Sequence, residues 1–351
     1  MAIIIVLIVL IVAFRLILEG YKREPTKYQR MENGFCYVAY IAIVILAAFR
    51  GEMVGADTAG YIADYMDVKM MSFTDIADRY EGYVGFYYLS KLFSIMGLPL
   101  FVWFGFLEIV LMSAMSRFIN KYSKDKLYSI ILFIVTGLFM FSLAGLKQTL
   151  AMALIIHGYI DMAEDKRIRS ILWIVIAFLV HPASLIMLFA YLISFIRKKE
   201  IFVIAVIFVF IAFSIGAKST LSFLVALSGN EHYEMYLEED NSYSMSTLYL
   251  YLLIVLCTLP FLSQYLKKGI QAKAEFVCVL ICCLCQYMAS FSPSLFRLAL
   301  MFIPFLIVYT PNAFEPSKNS SISIIFKVAA LLGPIVFFIY STRYTVYYMT
   351  F

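Results

Sequence analysis

The chain has 351 residues, of which 63% are hydrophobic and 15% charged, and its formal net charge is +5. So small a charged share excludes an ordinary soluble domain, in which about a quarter of residues carry charge. The recurring long apolar runs exclude an outer-membrane barrel of short alternating strands. The chain therefore reads as an all-α polytopic membrane protein, a single integral membrane domain over 1–351. Its basic excess serves to hold loops on the cytoplasmic side, with no nucleic acid as partner.

The first segment, Ala2–Leu18, is apolar apart from Arg15. It lacks a basic leader and a small-residue cleavage site, so it reads as a retained helix rather than a signal peptide. Glu19–Gly34 carries Lys22, Arg23, Lys27 and Arg30, which places that loop in the cytoplasm. Phe35–Phe49 crosses back. The loop that follows, Arg50–Glu81, has seven acids against three bases, net −4, and is expected outside as an external acidic loop over 50–82.

Tyr83–Met96 is apolar but short, holds Lys91 and ends in Gly97-Leu98-Pro99. A full crossing there would force Arg117, Lys121, Lys124 and Lys126 outside, so it is expected to be a re-entrant or interfacial helix. Leu100–Ser116, Leu127–Leu143 and Gln148–Met162 then cross in turn, and Lys166, Arg167 and Arg169 mark the cytoplasm again. Ile171–Ile196 has basic residues on both flanks and is broken by His181-Pro182, because proline removes a helix donor. A hairpin of two short helices with His181 near the outer surface fits the charges; one kinked helix is the rival.

Ile201–Ala217 leads to a second external acidic loop, 218–247, which holds Glu231, Glu234, Glu238, Glu239 and Asp240 and within it a short surface helix over Leu221–Leu227. Leu248–Leu266, Phe276–Ser290, Ser294–Thr310 and Ile324–Tyr340 complete the membrane part. The total is roughly eleven or twelve crossings. The six cysteines all fall inside apolar segments, which argues against a disulfide framework. No P-loop, dinucleotide fingerprint, zinc motif or nucleophile elbow is present, so neither a metal nor a cofactor is expected.

Charges at a membrane boundary are costly and are the first functional candidates. Arg50, Lys147 and Arg297 are placed at or just below the outer surface, where cations suit an anionic ligand such as a diphosphate. Lys91 is assigned to snorkelling, its head at the interface. Asp57 either caps a helix over Thr58–Asp67 or acts chemically; Glu81, ahead of Gly82-Tyr83, is the second acid. Either carboxylate could take a proton from an attacking hydroxyl or hold Arg50 in place. His181 is a candidate base or relay, and His157 beside Gly158 is assigned to packing.

Arg50 at the end of the second helix, Asp57-Thr58 and Tyr61 in the loop, and Glu81-Gly82-Tyr83 before an apolar helix resemble the EpsG family of Wzy-type polysaccharide polymerases. Lys147-Gln148-Thr149-Leu150-Ala151, His181 and Arg297 also resemble that family's scattered positions, with Lys147 where the pattern has Arg. Lysine keeps the charge but not the planar two-pronged contact to phosphate. The resemblance implies a metal-independent membrane glycosyltransferase of C-type architecture in a bacterial cytoplasmic membrane, its site facing the exterior. Such an enzyme would join undecaprenyl-diphosphate-linked oligosaccharide repeat units into an O-antigen, capsule or exopolysaccharide. In it Arg50, Lys147 and Arg297 would hold diphosphate, and Asp57 or Glu81, assisted by His181, would handle the acceptor's proton. Thr58, Tyr61 and Gln148 would contact acceptor or sugar. The expected partners are the lipid-linked oligosaccharide and the bilayer, with a chain-length regulator as a further candidate. The alternative is a lipid-linked oligosaccharide flippase or another secondary transporter, which needs polar residues at mid-membrane.

Overall fold

In hydrocarbon, backbone polar groups must be paired within their own segment, so apolar runs of this length fold as helices. The computed structural model describes residues 1–194, 202, 204, 206–208, 211, 212, 215, 216, 219, 222, 245–292, 295–317, 320–345, 347 and 349. Among them every extended element is helical, and an isolated antiparallel bridge joins Arg50 to Met349. The second acidic loop's Glu231, Glu234, Glu238, Glu239 and Asp240, and the helix expected over 221–227 save for Ser222, lie outside the described residues. The chain divides into two compact units, Met1–Leu185 with Val336–Phe351, and Ile186–Ile335.

The first unit comprises α1 (Ala2–Glu19), α2 (Pro25–Ala48), α3 (Thr58–Met70), α4 (Phe73–Arg79), α5 (Val84–Ile95), α6 (Leu100–Tyr122), α7 (Lys126–Val135), α8 (Leu138–Ala144), α9 (Leu146–Ala163) and α10 (Arg167–Val180). Ion pairs gather its basic loops at one end. Arg15 of α1 pairs with Asp125 at 2.7 Å, and Asp125 in turn caps α7 by accepting the Tyr128 N–H at 3.1 Å. Lys126 donates to Asn33 of α2 at 2.6 Å. Asp161, late in α9 and wholly buried, accepts from Arg117 of α6 at 2.6 Å and from the Trp173 indole of α10 at 3.0 Å, with Arg169 at 3.3 Å. Bonds from Lys121 and Lys166 hold the Glu164 carboxyl, at the end of α9, down at about 2. The loops expected in the cytoplasm thus share one end of this unit.

The opposite end is closed by aromatic and backbone contacts. Phe49 stacks on Phe101 with centroids 5.1 Å apart, which sets the end of α2 against the start of α6. The Thr58 hydroxyl lies 2.6 Å from the Val54 carbonyl and 3.1 Å from that of Leu143, tying the start of α3 to the end of α8. The chain from Arg50 to Pro99 therefore leaves and returns at one end, and α3–α5 form a layer there rather than a crossing. The 12 residues of α5 reach only about 18 Å at 1.5 Å per residue, against the ~30 Å of a hydrocarbon core. This agrees with the interfacial or re-entrant expectation for 83–96.

Seven helices among the described residues are long and apolar enough to cross a membrane. In the first unit these are α1, α2 and α6. α7 and α8 are bent by 52° at Thr136-Gly137 and together lead the chain from the ion-paired end, at Asp125, to Leu143, which Thr58 meets. α9 has the length but carries Lys147 and Asp161, and α10 stops after 14 residues at His181. Both run between the two ends of the unit, shorter or more polar than the other crossings. The expected crossing over 201–217 lies largely outside the described residues.

The second unit comprises α11 (Leu188–Ser194), α12 (Ser246–Leu266), α13 (Ile270–Met288), α14 (Phe296–Phe314) and most of α15 (Ser321–Ser341). The break expected in 171–196 is real: α10 belongs to the first unit and α11 to this one. Buried in this unit, Glu275 accepts bonds from Gln271 at 3.1 Å, from Asn312 at 3.2 Å and from the Tyr265 hydroxyl. All six cysteines are buried and unbridged.

Asp161→Ala is expected to destabilise the detergent-solubilised protein by about 2–3 kcal/mol, less than a fully buried pair would cost because Arg117 is partly exposed. Arg169→Ala, at the exposed edge of the same cluster, is expected to cost under about 1 kcal/mol. Thermal unfolding of the two variants measures both.

Candidate functional site

Lys147 is the second residue of α9, where an unpaired N-terminal turn carries partial positive charge and a cation is disfavoured by roughly 0.3–1 kcal/mol. Aromatic faces offset that cost. The ammonium sits 4.4 Å from the ring centre of Tyr83, 5.2 Å from that of Tyr87 and 5.6 Å from that of Tyr61, all within the ~6 Å over which a ring quadrupole attracts a cation. It also donates to the Tyr87 hydroxyl at 3.3 Å. Tyr61 is brought here because Thr58, one turn earlier, is fastened to Leu143, four residues before Lys147. That fastening needs Gly55 at φ +95°, since a Cβ there would stand 2.4 Å from the Leu143 carbonyl oxygen.

Behind the cage lies Asp64 of α3. It accepts the Tyr80 hydroxyl at 2.9 Å and the Tyr87 hydroxyl at 2.7 Å, and the two rings stack 3.6 Å apart. Burial and the bond to Asp64 push the Tyr80 phenol up to about 12, and the Tyr87 phenol higher still, so both stay protonated donors at physiological pH.

His181 ends α10 at the same place. Its ring meets Tyr83 edge-on at 5.1 Å, and its Nδ1 accepts the Ala183 N–H at 3.2 Å. With Nδ1 accepting, a neutral imidazole carries its hydrogen on Nε2. The close approach that brings Tyr83 to His181 rests on Gly85, where a Cβ would come within 2.8 Å of the Leu179 carbonyl oxygen.

The remaining expected residues are placed as follows. Asp57 is the N-cap residue of α3 but makes no side-chain cap bond, and the helix continues to Met70. Glu81 is exposed at the rim between Tyr80 and Tyr83, and Gln148 is buried beneath Lys147 in α9. Arg297 is an exposed residue in the first turn of α14, in the second unit.

Arg50 is only 3% exposed. Its guanidinium stacks 3.9 Å over Phe104, donates to the Ala47 carbonyl at 3.0 Å, and lies under the chain at Tyr347 and Met349, where the Tyr347 hydroxyl bonds Leu46. The acid in its field is Glu108 of α6, not Asp57 or Glu81. Glu108 is itself 3% exposed, with one carboxylate oxygen lacking a hydrogen-bond partner. A lone acid in an apolar helix was the signal that could have found it; Asp64 gave none, being one of seven acids in a polar loop.

Lys91 is a second correction. Its head does not snorkel outwards: it is buried and donates to the Val68 carbonyl at 3.1 Å, to Lys69 at 3.3 Å and to Met71. These are the last carbonyls of α3, which a helix leaves without partners. His157 packs as expected, stacked on Trp173 and 3.1 Å from Ser113 Oγ.

These features define a polytopic α-helical membrane protein with a caged cation, an aromatic rim and a histidine at one end of its first unit. The model of the EpsG family matches residues 33–351, and the chain belongs to that family. No curated protein and no solved structure matched the chain.

Lys91→Met is expected to lower stability by about 1–3 kcal/mol, because three carbonyls lose a buried donor. A fall in thermal midpoint larger than that of Lys69→Met, an exposed control, would bear this out.

Proposed function

We propose that the protein is a membrane glycosyltransferase that polymerises undecaprenyl-diphosphate-linked oligosaccharide repeat units at the outer face of the bacterial cytoplasmic membrane. Family membership points to a polysaccharide polymerase type of role. The observation that carries the reading is Lys147, a cation held by tyrosine faces at a helix N-terminus, where an anion is favoured twice over, by the charge and by the helix end. Aromatic side chains around it supply flat surfaces for sugar rings. The ion-paired basic loops at the opposite end support placing this end outside.

On this reading, a hydroxyl of the acceptor unit attacks the anomeric carbon that links the donor chain to its diphosphate. The new carbon–oxygen bond forms as the old one breaks, the undecaprenyl diphosphate leaves with the electron pair, and the hydroxyl's proton passes to Asp57 or Glu81. Lys147 stabilises charge developing on the leaving diphosphate. His181, as a donor through Nε2, hydrogen-bonds a sugar or diphosphate oxygen. Arg50, enclosed as it is, acts by field from beneath with Glu108 as its counter-charge. Thr58 and Gln148 shape the site from below, and Tyr61 contacts the sugar.

The test is the size distribution of surface polysaccharide in cells lacking the gene, complemented with wild type, Lys147→Met or Lys147→Arg at equal membrane levels. Without the gene, single repeat units are expected on the outside. Lys147→Met is expected to give about 10–100-fold less polymer, the value of one charged hydrogen bond, with Lys147→Arg recovering most of it. Single units retained inside the cell would overturn the polymerase and favour the flippase.

A further inference from the structure

Asp64 was not among the residues the sequence put forward, yet it is joined to the caged lysine through a single phenol. Its two carboxylate oxygens each take one phenol, Tyr80 at 2.9 Å and Tyr87 at 2.7 Å. A phenol has one hydrogen. With Tyr87's directed to Asp64, what its oxygen presents to Lys147, 3.3 Å away, is lone pairs. The hydroxyl is thereby fixed as an acceptor for the ammonium, and the negative charge of Asp64 reaches Lys147 through one polarised bond. Tyr80 completes the other half of the carboxylate but does not face Lys147: its ring stacks on Tyr87 and takes Arg79 at 5.2 Å on its own face.

We infer that Asp64 is a positioning residue, which through Tyr87 holds the Lys147 ammonium in the ring of Tyr61, Tyr83 and Tyr87. This rests on the polymerase reading for its purpose, though not for its geometry. The consequence is asymmetric. Asp64 and Tyr87 act on Lys147 as one unit, whereas Tyr80 serves only to hold the carboxylate between α3 and the start of α5.

Amine acylation by a water-soluble N-hydroxysuccinimide ester, read by peptide mass spectrometry on the full-length protein in phospholipid nanodiscs, reports how firmly each lysine is held. Only the unprotonated, accessible amine reacts. Asp64→Asn keeps the shape and removes the charge; Tyr87→Phe keeps the ring and removes the hydroxyl. Each is expected to raise labelling of Lys147 about fivefold relative to exposed Lys22, about the effect of one lost hydrogen bond. The double variant is expected to match either single one, since both break the same link. Tyr80→Phe is expected to leave Lys147 labelling within about twofold. Equal rises with Tyr80→Phe and Tyr87→Phe, or effects that add in the double variant, would reduce Asp64 to a staple between helices and overturn the proposal.

Polymer length in cells carrying the same variants separates the two claims. If labelling responds as expected and Asp64→Asn, Tyr87→Phe and Lys147→Met all shorten the polymer, both stand. If labelling responds but Lys147→Met leaves polymer untouched, the linkage holds and the polymerase reading fails. If Lys147→Met abolishes polymer while Asp64→Asn changes neither readout, the positioning role fails alone.

Discussion

A lysine in the first turn of a helix stands against the helix's own partial positive charge, so it persists there only if something else stabilises it. For Lys147 the compensation includes three tyrosine faces and one phenol oxygen. Those tyrosines come from α3 and from the start of α5, so the whole non-crossing layer has to be held against α9. The Thr58 hydroxyl on the Leu143 carbonyl ties α3 to the end of α8, just ahead of α9, and the Lys91 ammonium on the carbonyls at the end of α3 ties α5 to α3 within the layer. Both join a polar side chain to orphan backbone oxygens, the groups that a membrane-embedded fold can least leave unsatisfied. α3 is thus held at its start to α8 and at its end to α5, and the cage is assembled between those contacts.

The layer also explains the chain's path. Because Phe49 stacks on Phe101, α2 and α6 begin and end their crossings beside one another. Everything between Arg50 and Pro99 is then confined to one end, where aromatic rings and hydroxyls replace hydrocarbon as surroundings. An arginine at the close of α2 becomes enclosed by this arrangement rather than presented by it, with Phe104 beneath and Tyr347 and Met349 above. Its counter-charge has to come from within, and Glu108 on α6 is the acid that stands there.

The membrane class, the gathering of the basic loops at one end of the first unit and the shortness of the helix in 83–96 were legible in the sequence, because each follows from hydrophobic length and the placing of Lys and Arg. Lys147, Tyr61 and His181 were legible as candidates because a polar residue beside an apolar run has few ordinary explanations. Their mutual contacts were not, since they depend on which helix ends meet. Asp64 was hidden among loop acids and is distinguished only by the two phenols that the fold turns towards it. Lys91 misled for a related reason: a lysine in a short apolar helix has the same pattern whether its head reaches lipid or a neighbouring helix's C-terminus. Glu108 was legible in principle, as a lone acid within an apolar helix.

The two ends of the first unit treat buried charge in opposite ways, and the difference bears on what each can do. At the basic end Asp161 and Glu164 meet Arg117, Lys121, Lys166 and Arg169, so cation and anion charges are matched within a few ångströms. A matched pair has little field left for a third ion, and its bonds resist rearrangement. At the other end the lysine is stabilised by neutral ring faces and by a phenol oxygen, with the carboxylate one bond further away. The first arrangement is a clamp that fixes α6, α9 and α10 to one another; the second holds a lysine against the rings of α3 and α5.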